Sequence, residues 1–453
     1  MEWREILMKR FALLVTSVFL VSGAAHAAGK DFPSGPLALE PVIFQYAVYL
    51  IEPITENPMD LTKRILTRKY SHFKLADTPD PKQNSLRIRV NHRVQEVYRP
   101  PDLESLRRFG KGVSKDQAEK LQRVSSAIII DVALPLKNRS SGLQDASQFI
   151  ADLSKATNGV IWDEDTRQCF DADTWTAARI DTFQNGNPDV SSQITIHAYK
   201  DGDYIRAITL GMAKLGLPDI EVSDFSWSDN RNVGQLINLV AQLSYEMGIV
   251  QEAGRFRLNI DDIQHRNVRN RMKQSRYDNV EEEINIRIVE GIRDQGDPHN
   301  RIMEIIFDDV PGNNKQEKID AMLSRLWGWK DNITQVQHNT AILAASEKAR
   351  RKLPQIRKQI QKGLAPGEYY LVKAPFDTPT GGTEWMWVEV LSWEDKREII
   401  GLLKNQPFYI PTLKAGARVT IQAEDVFDYI HRLSDGTSTG NETGALIRKY
   451  SQE

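Results

Sequence analysis

Residues 127–134 read AIIIDVAL, an almost unbroken apolar run. It is short and rich in β-branched residues, which predicts a strand, and its lack of polar alternation predicts cover on both faces. Such a strand belongs in the interior of a sheet with other layers packed against it. Working outward, residues 42–51 (VIFQYAVYLI) read as a second strand that ends before Pro53. Residues 86–90 (LRIRV) alternate cleanly, as a half-buried strand does. Residues 59–70 and 143–157 have helical spacing. The second helix stops at Asn158-Gly159, two residues that tolerate the left-handed conformation of a helix end. A short strand over 160–162 follows.

The same interleaving continues downstream. Residues 192–197 (SQITIH) alternate, 204–215 carry a helical pattern that ends at Gly216, and 233–247 form an amphipathic helix through Leu236, Ile237, Val240, Leu243 and Met247. Residues 255–260, 283–289 and 301–307 alternate as strands. The fold class this predicts is α+β, with an N-terminal region of mixed α and β elements in layered sheets. A mostly helical connector follows over 319–362, interrupted by Gly328 and Pro354. From 348 to 362 it carries seven basic residues and no acidic one. A solvated helix face is the plainer account of that run, against a patch for an anionic partner. From residue 363 onward a small C-terminal α+β domain with a short antiparallel sheet is expected: strands over 368–374 and 384–391, a turn through Pro379 and Gly381-Gly382, a short helix over 394–403, and closing segments over 417–422 and 426–433.

The first 27 residues have the organisation of a cleavable signal peptide. Lys9 and Arg10 precede FALLVTSVFLV (11–21), Ser22-Gly23 break the run, and Ala25-His26-Ala27 presents small residues at a cleavage point. The run is well short of the roughly 20 residues a membrane-spanning helix needs. Met8 directly precedes the basic pair, so translation starts at Met1 or Met8. The expected organisation is signal peptide 1–27, linker 28–36, N-terminal region 37–318 as one body or two subdomains, connector 319–362 and C-terminal domain 363–453. The expected location is periplasmic or secreted, with no stable membrane insertion after cleavage.

Composition narrows the function classes. The 453 residues carry 59 basic and 61 acidic side chains, a net charge of −2, so no global field recruits nucleic acid or an anionic membrane. Cys169 is the only cysteine, which rules out an intrachain disulfide and leaves stability to the core. It reads as a small core residue rather than a nucleophile. Asp163-Glu164-Asp165 with Asp171 and Asp173 is an acidic cluster without the alternating spacing of a calcium loop, and a solvated surface is the plainer account. His72, His92, His197, His265, His299, His338 and His431 are scattered, with no H-x-x-x-H pair, so no metal site is expected. No nucleophile elbow, phosphate-binding loop or dinucleotide fingerprint occurs. The basic stretch HRNVRNRMKQSR (265–276) reads as a surface helix or loop rather than an RNA site. The binding candidates are Glu384, Trp385, Trp387 and Asn441. Trp385 and Trp387 point to one face of their strand while Met386, Val388 and Val390 point to the other, and rings on an open face can stack on a ligand. Packing of both faces inside the protein accounts for the same residues. Asn441 follows Gly440 in what reads as a turn.

The C-terminal region resembles the bacterial YegJ-like family, catalogued as domain of unknown function 2314. The likeness rests on AASEKARRKLPQI (344–356), EYYLVKAPF (368–376), GGTEWMWVEVLSW (381–393), IGLLKNQP (400–407), LKAGARVTI (413–421) and TGNETGALI (439–447). Tyr429 follows Asp428 where the family usually has Trp. Residues 126–247 loosely resemble another uncharacterised bacterial module through IIIDVALP, TNGVIWDEDT and ITLGMAKLGLPDIEV. Neither likeness implies an activity, a cofactor or catalytic residues. The expectation is an exported, non-enzymatic binding protein of the cell envelope whose partner is a protein or an envelope ligand. The alternative is an envelope hydrolase with its site between the domains.

Overall fold

The computed structural model describes residues 29–201, 204–225, 229–276, 280–312, 315–328, 340–365, 368–379, 381–405, 407, 409–433, 437–444 and 446. The expected signal peptide, residues 329–339 of the expected connector and His338 lie outside them. The chain forms two compact units. The first takes in the chain up to Asp102, then Glu119–Phe225 and Arg231–Trp329; the second takes in Leu103–Ala118, Ser226–Asn230 and the chain from Lys330. Both units combine helices and sheets, so the class is α+β as the sequence predicts. Among the described residues no helix is long and apolar enough to cross a membrane.

Besides two short two-stranded sheets, the first unit contains two large ones. One is built from β1 (Val42–Tyr49), β2 (Lys74–Leu75), β3 (Ser85–Asn91), β4 (Ala127–Leu134), β5 (Val160–Asp163) and β6 (Gln168–Phe170), in the order β2-β3-β4-β1-β5-β6. β4 lies antiparallel between β3 and β1, and all of its residues are buried, as its unbroken apolar run requires. The helix α1 (Pro58–Lys69) starts where Asn57 Oδ1 accepts from Met59 N at 2.9 Å, with Pro58 in the first turn where its missing N–H costs nothing. The long helix α2 (Arg139–Thr157) stops because Asn158 adopts φ 50°. It packs against β1 and against α1 and α3 (Ala172–Arg179).

The second sheet of this unit is built from β7 (Thr195–Asp201), β8 (Tyr204–Leu210), β9 (Asp219–Phe225), β10 (Arg255–Asn259), β11 (Glu283–Glu290) and β12 (Ile302–Ile306). Its order is β7-β8-β9-β12-β11-β10, with β9 and β12 parallel. The helical pattern over 204–215 is overturned here. Residues 204–210 are a strand paired antiparallel with β7, and only Met212–Leu215 make a 3-10 turn, closed at Gly216 with φ 71°. The strand is buried along both faces after Tyr204, so it shows none of the alternation that would identify it. The amphipathic helix α4 (Asn230–Met247) forms as expected, and α5 (Arg266–Gln274) carries the basic stretch. That stretch is a surface helix whose charges are partly spent locally: Arg271 pairs with Asp189 at 2.9 Å and Lys273 with Asp261. The helix α6 (Lys315–Trp327) packs against β9 and is followed by Gly328 at φ 71°.

The second unit carries α7 (Thr340–Arg350), α8 (Leu353–Lys362) and the antiparallel strands β13 (Tyr369–Asp377), β14 (Thr383–Ser392), β15 (Glu398–Leu403), β16 (Arg418–Gln422), β17 (Asp428–Arg432) and β18 (Ser438–Gly440). The sheet order is β16-β15-β14-β13-β17-β18. Pro354 sits in the first turn of α8, again where no backbone donor is lost. The core of this unit lies between the helices and one sheet face: Ala349, Leu353 and Ile356 meet Tyr370, Val372, Met386, Val388 and Ile399. The short helix expected over 394–403 does not form: residues 395–397 are a bend and Glu398–Leu403 are a strand. Gly401 explains part of this, because any Cβ there would strike the Glu389 carbonyl of β14, and so close a backbone approach marks a paired strand.

Candidate functional site

Alternation along β13 and β14 sorts their side chains cleanly. Tyr370, Val372 and Ala374 enter the core from β13, as do Met386, Val388 and Val390 from β14. Lys373, Trp385, Trp387 and Glu389 fall on the opposite face, where they are half-buried. The helices α7 and α8 pack on the Met386 side, so they do not cover the tryptophans. Register then decides what lies beside what. Lys373 is directly opposite Trp387 of β14 on one side and Asp428 of β17 on the other. Trp387, Lys373 and Asp428 therefore form a row across three neighbouring strands.

The row has a definite chemistry. The Lys373 ammonium lies 5.9 Å from the centre of the Trp387 ring, within reach of a cation–π attraction. Burial pulls that ammonium below the usual lysine range, against the pull of the Asp428 carboxylate. Trp385 stacks at a tilt on Phe427, with ring centres 4.7 Å apart, and Phe427 N donates to the Lys373 carbonyl at 2.7 Å. Asp428 is wholly buried. Its Oδ1 accepts from Tyr429 N at 2.8 Å, and its Oδ2 accepts from Thr443 N at 2.9 Å and from Thr443 Oγ1 at 2.6 Å. The row is closed at one rim by Asn405, whose Oδ1 accepts from Trp387 N at 2.6 Å. Beyond it Glu389 pairs with Lys404 at 3.0 Å and Arg107 at 3.6 Å.

The four residues singled out from the sequence do not all meet. Trp385 and Trp387 share the face described. Glu384 falls on the Met386 side, where its Oε2 accepts from Tyr409 N at 3.1 Å. Asn441, at φ 60°, shapes a loop: its N–H donates to the Tyr429 carbonyl at 2.8 Å, and the loop brings Thr443 to Asp428. Gly440 makes this turn possible, since φ is 91° there and a Cβ would strike the Tyr429 carbonyl. Sequence reasoning missed Lys373 and Phe427 and named Asp428 only as a family position. The available signal was the alternation of EYYLVKAPF, which puts one lysine outward in an otherwise apolar strand. Nearby, on the core side, His431 Nε2 and Glu368 Oε1 are 2.6 Å apart, and the imidazole stacks on Tyr370 at 4.0 Å. Tyr370 OH donates to Gln359 Oε1 at 2.6 Å, so this chain of contacts ties β13, β17 and α8 together.

In the first unit the acidic cluster is only in part a solvated surface: Asp173 is exposed, while the other four are buried or half-buried. Asp163 is wholly buried, 2.6 Å from Lys214 Nζ and 3.1 Å from Arg179 Nη2. Burial alone would raise its carboxyl, but Lys214 and Arg179 outweigh that and hold it below the usual range. Glu164 accepts from Trp162 Nε1 at 2.7 Å, Asp165 from Gln45 N at 3.1 Å, and Asp171 caps α3. Apart from Asp173, the cluster is engaged within the fold. Among the described residues no three His, Cys, Asp or Glu side chains converge as a metal site. Cys169 is buried, and burial pushes its thiol well above the usual range.

No curated protein and no solved structure matches the chain. The region that does match a family is the one containing α7, α8 and the six-stranded sheet. Residues 339–453 match the family described as an uncharacterized protein conserved in bacteria (DUF2314), the family their motifs resemble.

Proposed function

We propose that the protein is exported and acts as a non-enzymatic binding protein of the cell envelope, with the Trp387–Lys373–Asp428 row as its contact surface. The observation that carries this is the pairing of half-buried indole rings with a partly desolvated ammonium on a sheet face that α7 and α8 do not use. Rings supply contact area at low conformational cost, and a lysine held beside them adds an acidic group to what the surface selects. The wholly buried Asp428 anchors the lysine end of the row through Thr443, so the face is pre-organised rather than mobile. The ligand class this favours is a protein or envelope polymer that presents an acidic group next to a flat or apolar one.

Two measurements test the reading. Mass spectrometry of the native product should find a chain beginning at Ala28 in the envelope or medium. Affinity capture from envelope extract should recover a stoichiometric partner with the parent protein and lose it with Trp387→Ala or Lys373→Ala. Equal capture by all three proteins, or a turnover in an activity screen that survives both substitutions, would remove the proposal.

A further inference from the structure

We propose that the first unit holds a separate binding site for a small organic anion, in a groove of about 800 Å³ between the start of α2 and the last turn of α4. Lys82 enters it from the loop before β3, Lys137 from the 3-10 turn after β4, and Arg139 from the first residue of α2. The volume lies within the roughly 300–1,000 Å³ usual for small-molecule sites.

Three features point to an anion. The first is that Arg139 is already positioned. Its guanidinium lies 4.7 Å above the centre of the Tyr245 ring, and its Nη2 donates to the Tyr245 carbonyl at 3.0 Å. A guanidinium already ordered by stacking loses little further entropy on binding an oxyanion, and its fork matches one bidentately. The second is that Lys82, Lys137 and Arg139 form no ion pair among the described residues. Lys69, Lys120 and Arg64 do pair elsewhere in the unit, with Asp152, Glu52 and Glu56, while Lys63 and Lys74 form no pair among the described residues; what sets the three groove cations apart is that they share one groove. The third is that the groove has a single carboxylate, Glu40, whose Oε1 is already engaged by Leu136 N at 3.3 Å. In a chain whose net charge is −2, this is a local positive excess facing a cavity, the arrangement that concentrates a counter-ion. Buried Pro135 and half-buried Leu136 add an apolar wall. The fitting ligand is therefore amphipathic: one or two phosphate, carboxylate or sulfonate groups on an apolar body. It is a different site from the tryptophan row and does not depend on it.

The test uses the full-length protein and 8-anilino-1-naphthalenesulfonate, an anion with an apolar body, read by fluorescence titration at low ionic strength. One saturable site is expected, competed by inorganic pyrophosphate and weakened by added salt. The double reversal Lys82→Glu/Lys137→Glu should weaken it about tenfold or more. The reversal Lys63→Glu on α1 should leave it within about twofold. Thermal melts of each variant establish that the fold is intact, and both lysines are exposed, so little change is expected. No saturable binding, equal binding of the uncharged N-phenyl-1-naphthylamine, or indifference to the double reversal would each overturn the proposal. If pyrophosphate competes but only the sulfonate raises the melting temperature, the apolar wall is contributing as proposed.

Discussion

Substituting Asp163 should be far more damaging than substituting the lysine it touches. Asp163, Lys214 and Arg179 are all essentially sealed from solvent, and the carboxylate hydrogen-bonds both cations. Asp163→Asn leaves Lys214 and Arg179 buried without it, and removing one partner of a buried pair costs about 3–5 kcal/mol. Lys214→Met is different. Asp163 keeps Arg179 at 3.1 Å and the Thr166 N–H at 3.3 Å, while the desolvation of an ammonium is relieved. Losing one charge-assisted hydrogen bond of about 1.5–3 kcal/mol, offset by that relief, leaves a net cost of about 1–2 kcal/mol. In the double variant the second change removes a stranded cation, so the two costs fail to add by about 2 kcal/mol. Urea denaturation read by hydrogen–deuterium exchange in peptides covering β5 and β6 isolates the unit concerned. The reasoning fails if Lys214→Met destabilises as much as Asp163→Asn, or if the double variant equals the sum of the singles within about 0.5 kcal/mol.

Stability should also depend on pH through two carboxyls of opposite sign. Burial raises the Asp219 carboxyl from 3.8 to about 7 against hydrogen bonds from Asn300, Thr209 and the Met212 N–H. Its contribution is thus complete below about pH 4 and is lost as pH rises to about 7, a span worth up to about 4 kcal/mol. Asp163 is held low, so its contribution is present above its unfolded value and is lost as pH falls through the folded one; urea midpoints between pH 3 and pH 8 should show the first slope, and Asp163→Asn should flatten the acid limb. Gly440→Ala should cost about 2 kcal/mol or more, because φ is 91° and the new Cβ meets the Tyr429 carbonyl; a thermal melt unchanged by it would contradict the loop geometry. Thr443→Val strips a 2.6 Å donor from buried Asp428 and should cost about 1–3 kcal/mol, with Thr443→Ser restoring most of it.

Much of the scaffold was readable from pattern because the pattern had one cause. β4 is apolar throughout because it is covered throughout, and α2 stops at Asn158 because that residue takes the left-handed conformation. Tyr204–Leu210 and Glu398–Leu403 were misread for a shared reason. In the first, burial on both faces erases alternation; in the second, Gly401 occupies a core position where only a backbone fits. The binding row was half legible. Parity alone put Trp385 and Trp387 together, but the same parity sends Glu384 to the other side. Lys373 meets Asp428 only through the register of β13 with β17, strands separated by three others in the sequence. Nothing local records that pairing. The acidic cluster misled for a related reason: the cations that bury Asp163 are Arg179 and Lys214, the latter in a turn 51 residues away.

The dependence of Asp428 on Thr443 has a consequence for how this domain matures. The strands that hold Lys373 and Trp387 are synthesised before the hydroxyl that satisfies the carboxylate at the end of their row has been made. Until residues 440–443 emerge and turn back, the carboxylate lacks two of its three hydrogen bonds. A fragment trimmed ahead of Thr443 would be left permanently at that stage, with every strand of the row present and its electrostatics unfinished.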